Sequence, residues 1–206
     1  MTTEQLQAKY GDQQVAVFHA EELNSLPAPI APSFYDAEHW DIPADRVWGA
    51  LRYQAELDPS MKQIVGYTLL RQSGSHMIYV TERIAGDHRL IGMCSIGTGG
   101  HIEPGELVHQ AVMRELQEEV GVTQDDVRFY HTRGYIYDDS SEVNSVHFGI
   151  VPEVQVALLA DVQVQEKDKL RGQWMTVEEI KGLRNAGRLE SWSEIVFDAL
   201  LAEECI

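Results

Sequence analysis

Hydrophobic positions in the middle of the chain follow the pattern of β-strands. β-Branched and aromatic residues dominate residues 63–70 and 76–83, and the polar residues 72–75 between them are typical of a hairpin turn. A third short apolar run covers residues 90–96 and ends at a glycine-rich segment. We therefore predict three consecutive strands, the last of which leads into a loop.

Helical and extended patterns alternate in the second half of the chain. Apolar residues recur at helical spacing from about 105 to 120, and Gly121 suits the position after a helix C-terminus. Two strands are predicted at residues 127–137 and 146–156, around a polar loop. The remaining predicted elements are a strand at 172–175, a helix that begins after Thr176, and a last helix from Ser191 or Ser193 to 201.

The first 60 residues have a pattern of their own. We predict a short strand at residues 15–18, a proline-rich loop at 26–43 and a helix over residues 45–58. This N-terminal extension (residues 1–60) is expected to pack on the core of a main domain formed by residues 61–206. It could supply a lid over a substrate or the interface of a homodimer.

Composition and charge narrow the classes of partner. The 206 residues are 44% hydrophobic and carry a formal net charge of −17. This charge disfavours polymeric nucleic acid and anionic membranes, because both bind basic patches. Only residues 61–99 are net positive, with four basic and two acidic side chains.

The same sequence features indicate a compartment. The chain starts without an apolar leader, and no apolar run is long enough to span a membrane. The two cysteines, Cys94 and Cys205, are too few for a disulfide framework. We therefore expect a cytoplasmic protein.

Three carboxylates on the helix predicted at residues 105–120 indicate the chemistry of the protein. Glu115, Glu118 and Glu119 have i, i+3, i+4 spacing and so share one helix face. Such carboxylates repel one another by about 0.2–0.5 kcal/mol per pair, a repulsion that a bridging cation removes. Oxygen ligands of this kind suit Mg²⁺ or Mn²⁺. A solvated acidic helix face has the same spacing, so the triplet alone does not decide between the two.

The residues around the triplet are more specific. Residues 100–122 read Gly, five residues, Glu, seven residues, Arg-Glu-aliphatic, one residue, Glu-Glu, one residue, Gly-aliphatic. This spacing matches the Nudix box at every defined position, so the chain resembles the Nudix hydrolase family. The resemblance implies an α+β fold in which a mixed β-sheet is sandwiched between helices, an α/β/α sandwich.

The resemblance also implies roles for the box residues. Glu115, Glu118 and Glu119, together with the carbonyl oxygen of Gly100, would hold the divalent cations. The implied reaction is hydrolysis of a pyrophosphate bond in a nucleoside diphosphate linked to another moiety, X. Water held by the cations would attack one phosphorus, and a carboxylate would take its proton.

Other box positions would shape the site. Glu106 and Arg114 would be paired and hold the loop and helix together, and Gly121 would let the chain leave the helix with a positive φ. One departure precedes the box, because many family members have Pro-Gly-Gly where this chain has Thr98 followed by two glycines. Threonine lacks the fixed φ of proline, so a less rigid loop is expected.

The identity of the general base is open at this point. We expect Glu118 to be the base, with Glu115 as the second choice. The family sometimes uses a carboxylate outside the box, and the candidates here are Asp138, Asp139, Glu142 and Glu166. For the loop at residues 138–142, an ordinary acidic turn is the alternative reading.

Basic and aromatic residues near the box are candidate substrate contacts. Arg83 ends a predicted strand and Arg89 lies in the loop before the box, and guanidinium groups suit phosphate oxygens. His101 directly follows the first residue of the box and could contact phosphate or cap the loop. Tyr137 lies 16 residues after Gly121, near the position at which dinucleoside polyphosphate hydrolases have a tyrosine. Solvated surface is the alternative for the arginines.

Two other classes share the fold. A nucleotide-sensing module would bind without turnover, but such modules usually have degenerate boxes, whereas this box is intact. An isopentenyl diphosphate isomerase needs a cysteine before the box, which Cys94 could provide, although isomerases deviate from the hydrolase box. Hydrolysis of a small nucleotide-type substrate is therefore the main expectation.

Overall fold

A computed structural model contains eleven strands and five α-helices among the residues it describes, which are 1–26, 33–36, 42–86, 88 and 90–202. The helices are α1 (Thr3–Tyr10), α2 (Arg52–Ala55), α3 (Val108–Val120), α4 (Val177–Asn185) and α5 (Ser191–Ala202). The strands are β1 (Gln14–His19), β2 (Ser33–Asp36), β3 (Trp48–Leu51), β4 (Met61–Gly66), β5 (Thr68–Gln72), β6 (Ile78–Arg83), β7 (Cys94–Ser95), β8 (Gly97–Thr98), β9 (Val127–Tyr137), β10 (His147–Val156) and β11 (Leu170–Met175). Within the described ranges, no helix is both long and apolar enough to cross a membrane.

Strand β10 lies at the centre of one mixed sheet. It pairs antiparallel with β9 on one side, and on the other side it pairs parallel with β4 and then with β5. Strands β1 and β3 extend the sheet beyond β4, and we call this part the first wing. Strands β6 and β11 extend it beyond β5 and form the second wing. The sheet therefore divides into two wings beside β10.

The division follows from a break in the chain between β4 and β5. Tyr67 lies at the break, and the loop at residues 99–102 enters the gap between the wings. The backbone N–H of Gly66 donates to the carbonyl oxygen of Gly100 at 2.9 Å. Position 99 requires glycine, because its φ is +140° and a Cβ there would collide with the carbonyl oxygen of Gly66. The single strand predicted over residues 63–70 is therefore two strands, β4 and β5. Tyr67 lies between them along the chain, and the loop at residues 99–102 lies in the gap.

Helices cover both faces of the sheet. On one face, Leu116 of α3 is buried in a cluster with Leu70. On the opposite face, Phe197 of α5 is buried with Leu69. Neighbouring residues of one strand point to opposite faces, so Leu69 and Leu70 contribute to different cores. The predicted α+β fold, a mixed sheet between helices, is confirmed.

Helix α1 was not predicted, and the N-terminal segment differs from its prediction in two further places. The helix expected over residues 45–58 is wrong, because Trp48–Leu51 forms strand β3 and only Arg52–Ala55 is α-helical. Pairing of β3 with β1 satisfies the backbone there, and Gly49 is a poor helix former. The expected loop at 26–43 contains strand β2, which pairs with β9; residues 27–32 and 37–41 lie outside the described ranges.

A third difference concerns the apolar run at residues 90–96. Only Cys94–Ser95 of this run is a strand, and the residues before it form a turn in which the N–H of Met93 donates to the carbonyl of Leu90 at 2.9 Å. The large side chain of Ile91 is 51% exposed. Hydrophobicity alone therefore overstated the length of this strand.

Candidate active site

A cavity of about 940 Å³ opens where the loop at residues 99–102 enters the gap between the wings. Its volume lies in the range typical of small-molecule sites. Both wings, helix α3 and the start of α5 contribute to the wall. The lining includes Arg52, Arg83, Gly100, Glu115, Glu119, His147 and Trp192.

Glu115 lies directly against the loop at the mouth of this cavity. A Cβ at position 100 would be 2.7 Å from its Oε1 atom, so the glycine makes room for the carboxylate. Arg114 donates from Nη1 to the same oxygen at 2.7 Å. Burial nevertheless raises the pKa of Glu115 above its ordinary value, because the hydrogen bond and charge of Arg114 only partly offset the loss of water.

Glu119 occupies the next turn of α3 and contacts the same loop. Its Oε2 atom accepts hydrogen bonds from the backbone N–H of Gly99 at 2.9 Å and from the hydroxyl of Thr98. Burial raises the pKa of Glu119 despite these two donors. A proline at position 98 has no hydroxyl, so the departure from the usual family sequence adds a donor to this carboxylate.

Glu118, the third carboxylate of the box, lies at the rim. Its side chain is 61% exposed, and its Oε2 atom is 3.5 Å from Nη1 of Arg114. Among the described residues that line the cavity, Glu115 and Glu119 are included whereas Glu118 is not. The structure therefore separates the triplet into two partly buried carboxylates and one exposed carboxylate.

Arg114 joins the loop to the helix. Its Nε and Nη2 atoms each donate to Glu106 at 3.0 Å, and Nη2 also donates to the carbonyl of His101 at 3.1 Å. The hydrogen bonds between the two side chains lower the pKa of Glu106 and raise that of Arg114. Gly121 ends α3 with φ of +74°, the left-handed conformation that favours glycine.

The donor set of the box fits a hard divalent cation. The side-chain donors are all carboxylate oxygens, two of which have pKa values raised by burial, and a nearby cation would relieve that cost. The carbonyl oxygen of Gly100 accepts one hydrogen bond from Gly66, so its second lone pair can still bind a cation. Mg²⁺ and Mn²⁺ are the ions that prefer such ligands.

The predicted substrate contacts lie in different surroundings. Arg83 lines the cavity, and its Nε atom is buried with no hydrogen-bond partner within the described part of the chain. Tyr137 packs beside the core cluster that contains Tyr35, and the Nζ atom of Lys62 lies 5.6 Å from its ring centroid. Arg89 lies outside the described residues.

The candidate carboxylates outside the box differ in their burial. Asp138 is buried and holds its own loop, accepting hydrogen bonds from the N–H of Ser140 at 2.9 Å and from Nδ2 of Asn144 at 2.5 Å. Asp139 and Glu142 are exposed.

Glu166 lies near the box although it is distant in sequence. Its Oε1 atom is 2.7 Å from Nζ of Lys169. Its charge contributes to the raised pKa of Glu119, after the larger effects of burial and of the charge of Glu115. Of the four outside carboxylates, Glu166 is therefore the one with an electrostatic link to the box.

His101 faces a second histidine across the loop. Its Nε2 atom is 3.2 Å from Nε2 of His147, the first residue of β10. Burial lowers the pKa of His101 to about 2, with smaller effects from Arg52 and His147. Burial also lowers the pKa of His147. Both rings are therefore neutral imidazoles at neutral pH.

Several cavity residues carry no local sequence signal. Arg52 and Trp192 are separated by 140 positions in the chain, yet both line the cavity. The hydroxyl of Tyr67 is 2.7 Å from that of Ser193, and burial raises its pKa to about 12. Only the pairing of distant strands and helices brings these side chains together, so periodicity and motif spacing could not reveal them.

Cys94 lies in a different cavity from the box carboxylates. It is buried, and it lines a second cavity of about 580 Å³ together with Arg188 and Glu82. Burial raises the pKa of its thiol. The described lining of the larger cavity does not include it. This placement removes the support that the isomerase alternative drew from Cys94.

Comparison with known proteins identifies the class. The NUDIX domain profile matches residues 62–199. Protein YmaB of Bacillus subtilis (strain 168) is 36% identical over 158 residues, which cover 72% of this chain and 76% of YmaB. The 8-oxo-dGTP diphosphatase of Escherichia coli (strain K12) is 40% identical over 62 residues, 30% of this chain and 46% of that enzyme. The crystal structure of Tm1382 is similar with a TM-score of 0.70 and 23% identity, over 92% of this chain and 99% of Tm1382.

The chain belongs to the Nudix family, as its box predicted. Its enzyme class is that of a Nudix pyrophosphohydrolase. Members of the family generally hydrolyse a pyrophosphate bond in a nucleoside diphosphate linked to another moiety.

Proposed function

We propose that this chain is a Mg²⁺- or Mn²⁺-dependent hydrolase of a small nucleoside diphosphate derivative. Glu115, Glu118 and Glu119, with the carbonyl oxygen of Gly100, are the proposed ligands of the cations. The observation that supports this most directly is the placement of two partly buried carboxylates, Glu115 and Glu119, against the loop in the wall of a nucleotide-sized cavity.

In the proposed mechanism, residues that line the cavity bind the diphosphate, and Glu118 at the rim acts as the general base. Divalent cations supply charge neutralisation and Lewis-acid polarisation of the diphosphate. Arg83 and Arg52, which line the cavity, orient phosphate oxygens through their guanidinium groups. Glu118 takes the proton of the attacking water, since its exposed side chain can rotate towards the loop from its position 3.5 Å from Arg114.

The moiety X would lie against the aromatic end of the cavity. The rings of Tyr67 and Trp192 are in edge-to-face contact with centroids 5.6 Å apart, and both residues line the cavity. A planar base could pack on this wall. The indole Nε1 of Trp192 is buried with no hydrogen-bond partner among the described residues, so it could donate to an acceptor on X.

A substrate panel tests the proposed activity. The 206-residue chain is incubated with nucleoside triphosphates, 8-oxo-dGTP, ADP-ribose, NADH and dinucleoside polyphosphates, with and without Mg²⁺ or Mn²⁺. We expect metal-dependent release of a nucleotide from at least one of them. Incorporation of ¹⁸O from labelled water then locates the phosphorus that is attacked. Tight binding across the panel without turnover would instead indicate a nucleotide-sensing module.

A pair of matched variants tests the general base. Glu118→Gln keeps the size of the side chain but cannot take a proton, so we expect kcat to fall by at least ~10²-fold, the low end for general-base catalysis. Glu166→Gln is the control and should retain most of the wild-type kcat. If instead Glu166→Gln loses activity while Glu118→Gln keeps it, the base is Glu166.

A further inference from the structure

A second group of metal-ligating side chains lies outside the box carboxylates. Glu56, His101 and His147 each place one ligand atom within 4.8 Å of the others. We propose that these three residues form a site for a late first-row divalent cation such as Zn²⁺, distinct from the Mg²⁺ or Mn²⁺ site of the box. Both histidines line the same cavity as Glu115 and Glu119.

The three ligands come from three separate elements. Glu56 follows the last residue of α2, His101 belongs to the loop between the wings, and His147 begins β10. The backbone of His101 is fixed on both sides, by a β-bridge to Val65 and by the hydrogen bond from Arg114 to its carbonyl. His101 and His147 are therefore held by contacts with the sheet, and Glu56 is held at the end of helix α2.

The distance between the two imidazoles suits chelation. The Nε2 atoms are 3.2 Å apart. With Zn–N bonds of about 2.05 Å, that separation corresponds to an N–Zn–N angle of about 100°, close to tetrahedral. Two imidazole nitrogens and one carboxylate are also a known ligand set of zinc sites that keep an open fourth position.

Hydrogen bonds orient the ligands as metal sites require. His147 donates from Nδ1 to the carbonyl of Val143 at 2.6 Å, so in the neutral ring its Nε2 atom carries the lone pair that faces His101. Arg52 donates from Nε to Oε1 of Glu56 at 3.3 Å and so orients the carboxylate. A carbonyl or charged partner behind a ligand is typical of metal sites, and two of the three proposed ligands, His147 and Glu56, have one.

The donor types predict which metal the group selects. Two imidazole nitrogens and one carboxylate oxygen form the group, and the carboxylate of Glu56 is its acidic member. Imidazole nitrogen favours Zn²⁺ over Mg²⁺, whereas the carboxylates of the box favour Mg²⁺. The cavity would thus hold two ions of different chemistry.

Zinc titration of the 206-residue chain tests the proposal. Zn²⁺ is titrated calorimetrically in excess Mg²⁺, and Co²⁺ is used as a spectroscopic probe because tetrahedral Co²⁺ absorbs strongly in the visible range. We expect one Zn²⁺ per chain, and a weakening of at least ~10²-fold in His101→Ala and His147→Ala, beyond the typical effect of losing an outer partner. His109→Ala, an exposed histidine on α3, is the matched control.

A box variant separates the two sites. The double variant E115Q/E119Q should keep the Zn²⁺ affinity and the visible Co²⁺ spectrum, because its changes lie in the box. If the histidine variants do not fold, Glu56→Gln decides, since it keeps the shape of the side chain and should still weaken Zn²⁺ by at least ~10-fold.

Three results would overturn the site. They are the absence of Zn²⁺ binding in the wild type, binding that survives in both histidine variants or in Glu56→Gln, and binding that disappears only in the box variant. The measurements need no substrate, so this proposal and the proposed hydrolase activity can fail independently.

Discussion

The negative charge of Glu153 and that of the box carboxylates are neutralised to different extents within the protein. Glu153 on β10 is buried, but Arg133 is 3.1 Å and Arg71 is 3.5 Å from its Oε2 atom. Burial by itself would raise the pKa of Glu153, yet the hydrogen bond from Gln155 and the two arginines together lower it. The net positive charge of residues 61–99 is therefore partly used inside the protein and not for a substrate.

The box carboxylates have less internal compensation, because one arginine, Arg114, is shared among Glu106, Glu115 and Glu118. Among the described residues, the hydrogen-bond donors to Glu119 are the neutral groups of Thr98 and Gly99. The pKa values of Glu115 and Glu119 are raised, in contrast to that of Glu153. This contrast supports the proposed role of the box carboxylates as cation ligands: Glu153 is neutralised by two arginines of the sheet, whereas burial of Glu115 and Glu119 is less fully offset, and a bound cation would relieve that cost.

Removal of divalent cations tests the proposed role of the box carboxylates and should produce the largest effect, a fall in the rate of hydrolysis. EDTA should lower the rate of hydrolysis by about 10³-fold, because Lewis-acid stabilisation contributes several kcal/mol. Added Mg²⁺ should restore the rate, measured as nucleotide released per unit time. Activity that persists in EDTA would show that the box does not depend on an ion from solution.

Glu153→Gln should affect stability and leave the box unchanged. An amide cannot balance two arginines, so we expect the free energy of unfolding to fall by about 3 kcal/mol, as for other broken buried ion pairs. Urea denaturation measures this, and calorimetry should give an unchanged Mg²⁺ affinity. Glu178→Gln is the control, since its ion pair with Lys181 is exposed and should contribute less than about 1 kcal/mol.

The pH dependence of that loss has a definite sign. The pKa of Glu153 is lower in the folded state than in the unfolded state, so its stabilisation is present above the unfolded value, about 4.5. It disappears as the pH falls through the folded value. Wild type and Glu153→Gln should therefore converge in stability at acidic pH, and a constant difference down to the lowest pH would contradict the ionic explanation.

Thr98→Val removes a hydroxyl donor at a position where many family members have proline. Loss of the hydroxyl leaves Glu119 with one hydrogen bond from the loop, and we expect Mg²⁺ affinity to weaken by about 10-fold. Thr123→Val is a suitable control, because its hydroxyl bonds to Asp126 beyond the end of α3. Equal Mg²⁺ affinities in the two variants would leave Thr98 without a role in the site.

Glu119→Gln should produce the smallest effect, and in the opposite direction from Glu153→Gln. In EDTA the neutral amide removes a carboxylate that burial disfavours, while its oxygen still accepts from Thr98 and Gly99. We expect a gain of about 1 kcal/mol in unfolding free energy, typical of neutralised functional sites. Glu106→Gln should lose stability in the same buffer, since the hydrogen bond from Arg114 lowers the pKa of Glu106.

Local spacing made the box predictable. The i, i+3, i+4 relation of the three glutamates and the C-terminal position of Gly121 depend only on helix geometry, and α3 has the buried face that the sequence indicated. The strands at residues 127–137 and 147–156 were likewise visible from their composition.

Features set by tertiary pairing could not be predicted. Strand β3 forms because it pairs with β1, and this pairing cannot be inferred from the residues of β3 alone. The break at Tyr67 interrupts a strand-like run, and its one local signal is Gly66, which by itself does not distinguish a bulge from a break between two strands. The approach of Glu56 to His101 and His147 depends on this same arrangement, so a ligand set scattered over 92 positions left no motif.

The gap between the wings also has a consequence for cooperativity. The loop at residues 99–102 takes the place of a strand partner for β4, since Gly66 donates to Gly100 and Ile102 donates to Ile64. The proposed metal-binding loop thus belongs to the same cooperative unit as the centre of the sheet. Its amide hydrogens should exchange with solvent as slowly as those of β4, so the site is formed or lost only together with the core.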